Sequence, residues 1–106
     1  MSSMAFVVNL NNKSVFYVDH SYWLHDTIFN KLLDCGNLMQ QIREDKDRLV
    51  EDDKEGIPTW GTAIYVLTEL EKHIHLDLKG VFIVLGEDSY EEFGHVFKDF
   101  TIIDVT

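Results

Sequence analysis

The sequence predicts one α+β (or α/β) domain over residues 1–106, with a four-stranded mixed sheet and about three helices in the order β-β-α-α-β-α-β. Three observations predict it. The hydrophobic pattern moves from short β-branched and aromatic runs to a three-and-four spacing and back again. One Pro and six Gly leave little room for long irregular loops. A chain of 106 residues can bury a single core and little more.

Each element follows from its residues. AFVVNL (Ala5 to Leu10) and SVFYVDH (Ser14 to His20) are β-branched and aromatic runs. The NNK between them is turn chemistry, so the two form an antiparallel hairpin. From Ser21 the period changes: Leu24, Ile28, Leu32, Cys35, Met39, Ile42 and Leu49 mark one stripe of an amphipathic helix. Asp19 or Ser21 is placed to cap it, and Gly36 marks a kink or a break into two helices. EGIPTW ends the pattern, with Gly56 closing one helix and Pro58 opening the next. That next helix, TAIYVLTELEKHI, sets Ile64, Leu67, Leu70 and Ile74 on one face. Val81 to Leu85 are five apolar residues between Gly80 and Gly86, the pattern of a strand covered on both sides. EDSYEEFGHVFKDF reads as a third helix, with Ser89 and Glu92 as a capping box and Phe93 and Phe97 stacked four apart. FTIIDVT is the last strand. The connection before it is about as short as a parallel crossover allows, which leaves an antiparallel placement open.

The charge balance narrows the function classes. Nineteen acids against nine bases give a formal net charge of -10. Such a surface repels phosphates, which disfavours direct binding to nucleic acid or to anionic lipid. It attracts a basic protein and speeds encounter with it, although solubility alone also accounts for an acidic surface. The single cysteine, Cys35, excludes an intrachain disulfide and a multi-cysteine zinc site. The N-terminal residues carry no signal-peptide pattern, and no apolar run approaches a membrane span. The expectation is a cytoplasmic protein with no membrane association.

No motif for catalysis, a cofactor or a metal emerges. The stretch REDKDRLVEDDKEG, Arg43 to Gly56, has seven carboxylates and four bases. Aligned as a calcium loop from Asp45, it puts Leu49, Val50 and Gly56 where an EF-hand needs a ligand, a glycine and a bidentate Glu. As a helix it pairs Glu44 with Arg48, Asp45 with Arg48 and Arg43 with Asp47, and reads as a solvated helix end. His73 and His75 point apart on a helix, and neither they nor His20 and His25 form a zinc signature. Cys35 sits on an apolar stripe, where a buried inert thiol is the default. Gly86 opens a helix after a buried strand, but Glu87 and Asp88 would repel phosphate there. Carboxylate pairs are everywhere in so acidic a chain, so they do not single out acid–base catalysis.

Two acidic stretches are candidate partner-binding surfaces. One holds Glu44, Asp45, Asp47, Glu51, Asp52, Asp53 and Glu55, whose charge is partly offset by their own Arg and Lys neighbours. The other is EDSYEE, with Glu87, Asp88, Tyr90, Glu91 and Glu92. From Glu87 to Asp104 there are six acids and one base, against a net of only -3 in the first stretch. Carboxylates beside an aromatic suit Lys and Arg on a partner, and equally suit the start of a helix dipole. Tyr22, Trp23 and Trp60 are core residues by default; Trp60, in the interhelix turn, is also a candidate interface anchor.

In overall profile, REDKDRLVEDDKEG and EDSYEE on a compact αβ chain resemble the small acidic immunity proteins of bacterial toxin–immunity systems, including contact-dependent inhibition. That resemblance implies a non-enzymatic inhibitor without a cofactor. It also implies tight one-to-one binding to a basic toxin domain, commonly a nuclease, at its active site or an adjacent exosite. Two other classes remain open on the sequence. One is a phage or plasmid anti-defence protein that mimics nucleic-acid charge along one extended face. The other is a small enzyme or ligand-binding domain, which needs a deep pocket with converging His and carboxylate side chains.

Overall fold

The computed structural model describes residues 4–18, 28, 30–57 and 63–104, without the side chains of Ala63 and Phe93. The N-terminal hairpin forms as expected. Strands β1 (Ala5–Asn9) and β2 (Ser14–Val18) pair antiparallel from Ala5↔Val18 to Asn9↔Ser14. Asn9 nucleates the turn between them: its Oδ1 accepts from the amides of Asn11 at 2.9 Å and Asn12 at 3.2 Å. Lys13 completes the reversal at φ 56°.

A strand that the sequence pattern does not predict follows. β3 (Leu32–Asp34) pairs antiparallel with β4 (Val81–Gly86), so among the described residues the sheet has five strands in the order β3-β4-β1-β2-β5. The single long helix expected from Ser21 is corrected accordingly. Helix α1 (Cys35–Lys54) starts only at Cys35, because the Asp34 carboxylate caps it by accepting from the Asn37 amide at 2.7 Å. Leu32, expected on the helical stripe, precedes α1 and is 68% exposed. Gly36 therefore lies in the first turn of α1 and marks no kink. The caps expected at Asp19 or Ser21, and Leu24 of the stripe, fall outside the described residues.

Four positions of the stripe hold: Cys35, Met39, Ile42 and Leu49 are buried along α1, joined by Leu38. Ile28, also expected on the stripe, is buried but precedes β3 and is not part of α1. Gly56 ends the helix at φ 77°. Its amide donates to the Asp53 carbonyl at 3.2 Å, and that of Ile57 donates to Asp52 at 2.9 Å. This is a Schellman closure, which requires the left-handed residue that Gly supplies. Pro58 and Trp60 lie outside the described residues. Helix α2 (Ala63–His75) buries Val66, Leu67, Leu70 and Ile74 on one face.

β4 continues directly into α3 (Glu87–Phe93), a 3-10 turn (Gly94–Phe97) and β5 (Thr101–Asp104). The capping box expected at Ser89 and Glu92 is not used. The helix begins two residues earlier at Glu87, its cap position is Gly86, and Ser89 is already inside it. Phe97 stands on the 3-10 turn, not on a continued helix; its ring is near-parallel to Tyr90 at 6.5 Å and meets Phe100 edge to face at 5.3 Å.

β1 pairs antiparallel with both β2 and β4, and β5 pairs parallel with β2. β4 and β5 therefore run in the same direction, separated by β1 and β2. The parallel sense left open by the short connection is thus obtained by crossing over two strands.

Alternation along the strands divides the core. Ala5, Val7, Phe16, Val18, Phe82 and Val84 face α1 and α2 in the larger cluster. Val8, Val15 and Leu85 face the other way, covered by Phe6, Tyr90, Phe97 and Phe100. The sheet lies between the α1–α2 pair and the short α3 layer.

Candidate functional site

The two acidic stretches lie in different layers. α1 packs on one face of the sheet and α3 on the other, so they do not form one continuous docking surface.

On α1 much of the charge is compensated. Arg43 does not pair along its own helix with Asp47. It crosses to Glu71 of α2 at 3.5 Å, and Lys46 reaches the other oxygen of Glu71 at 3.2 Å. Lys54 meets Glu51 at 3.5 Å, and Arg48 meets Asp45 at 3.5 Å. Asp45 departs most from expectation. It is 2% exposed, and its Oδ1 also accepts from Gln41 at 3.3 Å. A buried carboxylate must be satisfied by its neighbours, and Asp45 is directed inward, away from a partner. Glu44, Asp47, Glu51, Asp53 and Glu55 are exposed, and Asp52 is half-buried. Trp60, the expected anchor, lies outside the described residues.

On α3 the balance differs. Asp88, Glu91 and Glu92 are exposed and Glu87 is half-buried. Among the described residues none of the four forms an ion pair. Glu87 and Asp88 occupy the first turn, where carboxylates favour the helix dipole. Tyr90 anchors the helix, because its ring lies on Phe6 at 3.8 Å and 8° and fixes α3 to the sheet. The aromatic neighbour of the carboxylates thus holds them in place.

A polar cluster that the sequence reading missed sits at the hairpin turn. The Asp77 carboxylate, after α2, accepts from the side-chain amides of Asn9 at 3.1 Å and Asn11 at 2.9 Å. These amides, Asn11 first, hold its carboxyl below the ordinary carboxylate value. Ser14 Oγ lies 3.3 Å from His73 Nε2. A Ser, a His and an Asp are therefore neighbours, yet their hydrogen bonds run against nucleophilic catalysis. The Ser14 hydroxyl donates to Asn12 Oδ1 at 2.6 Å, so its oxygen accepts from His73 Nε2–H. A general base would have to accept that proton. Ser14 is also buried. Burial lowers the His73 pKa below its usual value, with Asp77 pulling weakly the other way. The cluster ties the hairpin turn to the α2–β4 connection. Its members lie 59 to 68 positions apart, so local pattern carried no signal for it.

Cys35 is buried at the start of α1 and its thiol faces the Ile74 carbonyl at 3.7 Å. Burial, then Asp34 and Asp77, push its pKa up, against the thiolate that reactivity needs. His73 and His75 do diverge on α2: His73 faces the sheet and His75 is exposed. His20 and His25 lie outside the described residues. Among the described residues no three His, Cys, Asp or Glu side chains are grouped to hold a metal, and no helix is long and apolar enough to cross a membrane. A cleft of about 170 Å³ opens between α1 and α2, lined by Met39, Arg43, Glu71, Lys72 and His75. Small-molecule pockets typically measure roughly 300–1,000 Å³.

Comparison with family models, curated proteins and solved structures returned no match to this chain.

Proposed function

We propose that this chain is a non-enzymatic acidic binding protein that neutralises a basic protein partner, as an immunity protein neutralises a bacterial toxin domain. The observation that carries the reading is the α3 surface: Asp88, Glu91 and Glu92 exposed, with no cation paired to them among the described residues. Exposed carboxylates that the fold does not neutralise keep their field for an incoming charge. The net charge of -10 adds long-range attraction for a basic domain such as a nuclease, whose own surface is built to meet phosphate. Capture would be one-to-one, cytoplasmic, fast at low salt and slower as salt screens the field. No nucleic acid or membrane takes part.

The α1 stretch supports the reading less, because Glu71 draws Arg43 and Lys46 and because Asp45 is buried. The test is copurification from the source cell, or co-expression with the neighbouring gene, followed by neutralisation of Glu87, Asp88, Glu91 and Glu92 to Gln or Asn. A basic partner should copurify, and the variant should capture it more slowly with a shallower dependence on salt. Copurification without any basic partner would count against inhibition. Unchanged affinity and salt dependence would remove α3 from the docking surface.

A further inference from the structure

Among the described residues, Glu71 is the one carboxylate that lines the cleft between α1 and α2, and it serves two cations. Its Oε1 meets Arg43 Nε at 3.5 Å and its Oε2 meets Lys46 Nζ at 3.2 Å. Neither cation reaches a second carboxylate among the described residues. Glu44, next to Arg43 in sequence, accepts instead from Gln40 at 3.3 Å, and Asp47 forms no ion pair with Arg43. Lys72, also on the wall, is answered by Glu69 at 3.3 Å. Three cations against two carboxylates leave one positive charge over, on a chain whose total is -10.

The unbalanced cation is presented for use. Arg43 engages Glu71 through Nε alone, so both Nη groups lie outside that ion pair, and its side chain is 61% exposed. Paired N–H groups of a guanidinium match the two oxygens of a carboxylate.

The remaining walls set the size and character of a ligand. The cleft measures about 170 Å³, and a cavity of about 150 Å³ takes a benzene ring. Met39, a core residue, supplies apolar lining, and His75 adds an imidazole that can hydrogen-bond. Apolar lining with a few convergent polar groups is the usual character of a ligand site. A dianion would exceed the surplus and meet Glu71, and an uncharged ligand would leave the surplus unanswered.

We infer that this cleft binds a small monocarboxylate with an apolar body about the size of one ring. The carboxylate sits on the Nη groups of Arg43 and the body lies against Met39. The site belongs to the α1–α2 layer, across the sheet from α3, so it does not rest on the acidic-inhibitor reading.

The probe is benzoate, with benzamide as its uncharged counterpart. The whole isotope-labelled chain is titrated with each at neutral pH and constant ionic strength, and amide signals are followed. Benzoate should shift the signals of Met39, Arg43, Lys72 and His75 to saturation, and benzamide should bind about tenfold or more weakly. Arg43→Gln should lose about tenfold or more in benzoate affinity and leave benzamide binding unchanged. Arg43 is exposed and Lys46 still holds Glu71 in that variant, so the fold does not depend on the substitution. Lys54→Gln removes the same charge at the far end of α1 and should bind benzoate as the parent does. Acetylglycylphenylalanine carries the carboxylate on a longer body and should bind more weakly than benzoate; tighter binding would overturn the small acid in favour of a chain end. Equal binding of benzoate and benzamide, equal losses in the two variants, or no saturable shift at the cleft overturns the site.

Discussion

Gly80 allows no side chain, and replacing it with Ala tests how tightly the α2–β4 turn is packed. Its amide donates to the Asp77 carbonyl at 3.0 Å, and the residue is buried. A Cβ here would lie 2.8 Å from two ring carbons of Phe82 and 3.1 Å from the Asp77 carbonyl oxygen. Phe82 is fully buried among the α1–α2 core residues, so its ring has no solvent side into which to move. Overpacking of this kind costs about 1–3 kcal/mol. The loss of chain entropy in the unfolded state offsets about 0.4–1 kcal/mol of that. Gly80→Ala should therefore destabilise by about 1–2 kcal/mol, and at ~4–8 °C per kcal/mol its Tm should fall by roughly 5–15 °C. Gly36→Ala is the matched control. Its Cβ meets only Asp34 Oδ1 at 3.5 Å, an ordinary contact in the first turn of α1, and it should gain a few tenths to about 1 kcal/mol. Urea denaturation of both variants beside the parent measures the difference. A Gly80→Ala protein as stable as the parent would refute the view that Phe82 is pinned.

Three further outcomes follow from the core and the polar cluster. Leu70 is fully buried between α2 and the sheet, and Leu70→Ala should cost about 2–5 kcal/mol in the same denaturation experiment. Because burial lowers the His73 pKa from its usual 6.5, the unfolded chain binds that proton more readily. Stability from this source is complete above about pH 6.5 and declines as pH falls through the lowered value; His73→Gln should flatten that limb in melting curves recorded against pH, and an unchanged slope would contradict the assignment. Asp77 is displaced downward too, so its contribution is present above the ordinary carboxylate value of 3.8 and is lost as pH falls through its lower folded value. Asp77→Ala should remove that acid limb and speed amide exchange at Asn11 and Asn12, and unaltered exchange would show that Asp77 does not hold the turn.

The strands and helices with strong periodicity were legible because burial and period agree in them: β1, β2, β4, the α2 stripe and most of the α1 stripe. β3 was not. Leu32 lies four residues from Ile28 and three from Cys35, which mimics a helical stripe, yet Asp34 caps a helix that starts after it. A three-residue edge strand is defined by its partner, and Leu33↔Phe82 joins positions far apart in sequence. The capping box failed for a related reason: Ser89 and Glu92 have the right spacing, but α3 begins as β4 ends, so Gly86 takes the cap position. At the candidate site, composition identified both acidic stretches. It did not show that Asp45 is buried, that Glu71 draws two of the α1 cations, or that the sheet separates the stretches. Each of these depends on a contact between elements, which no local spacing encodes.

The central position of β1 has a kinetic consequence. Its partner β2 is next in sequence and zips through a short turn, whereas β4 is synthesised long afterwards and closes the other side only after α1 and α2 are made. Such non-local pairing is slow to form. Until β4 arrives, the AFVVN strand exposes one hydrogen-bonding edge with no charged residue of its own, the kind of surface through which nascent chains associate. The net charge of -10 opposes the approach of two such intermediates. On this view the acidity protects every newly made molecule for the interval between its first hairpin and its completed sheet.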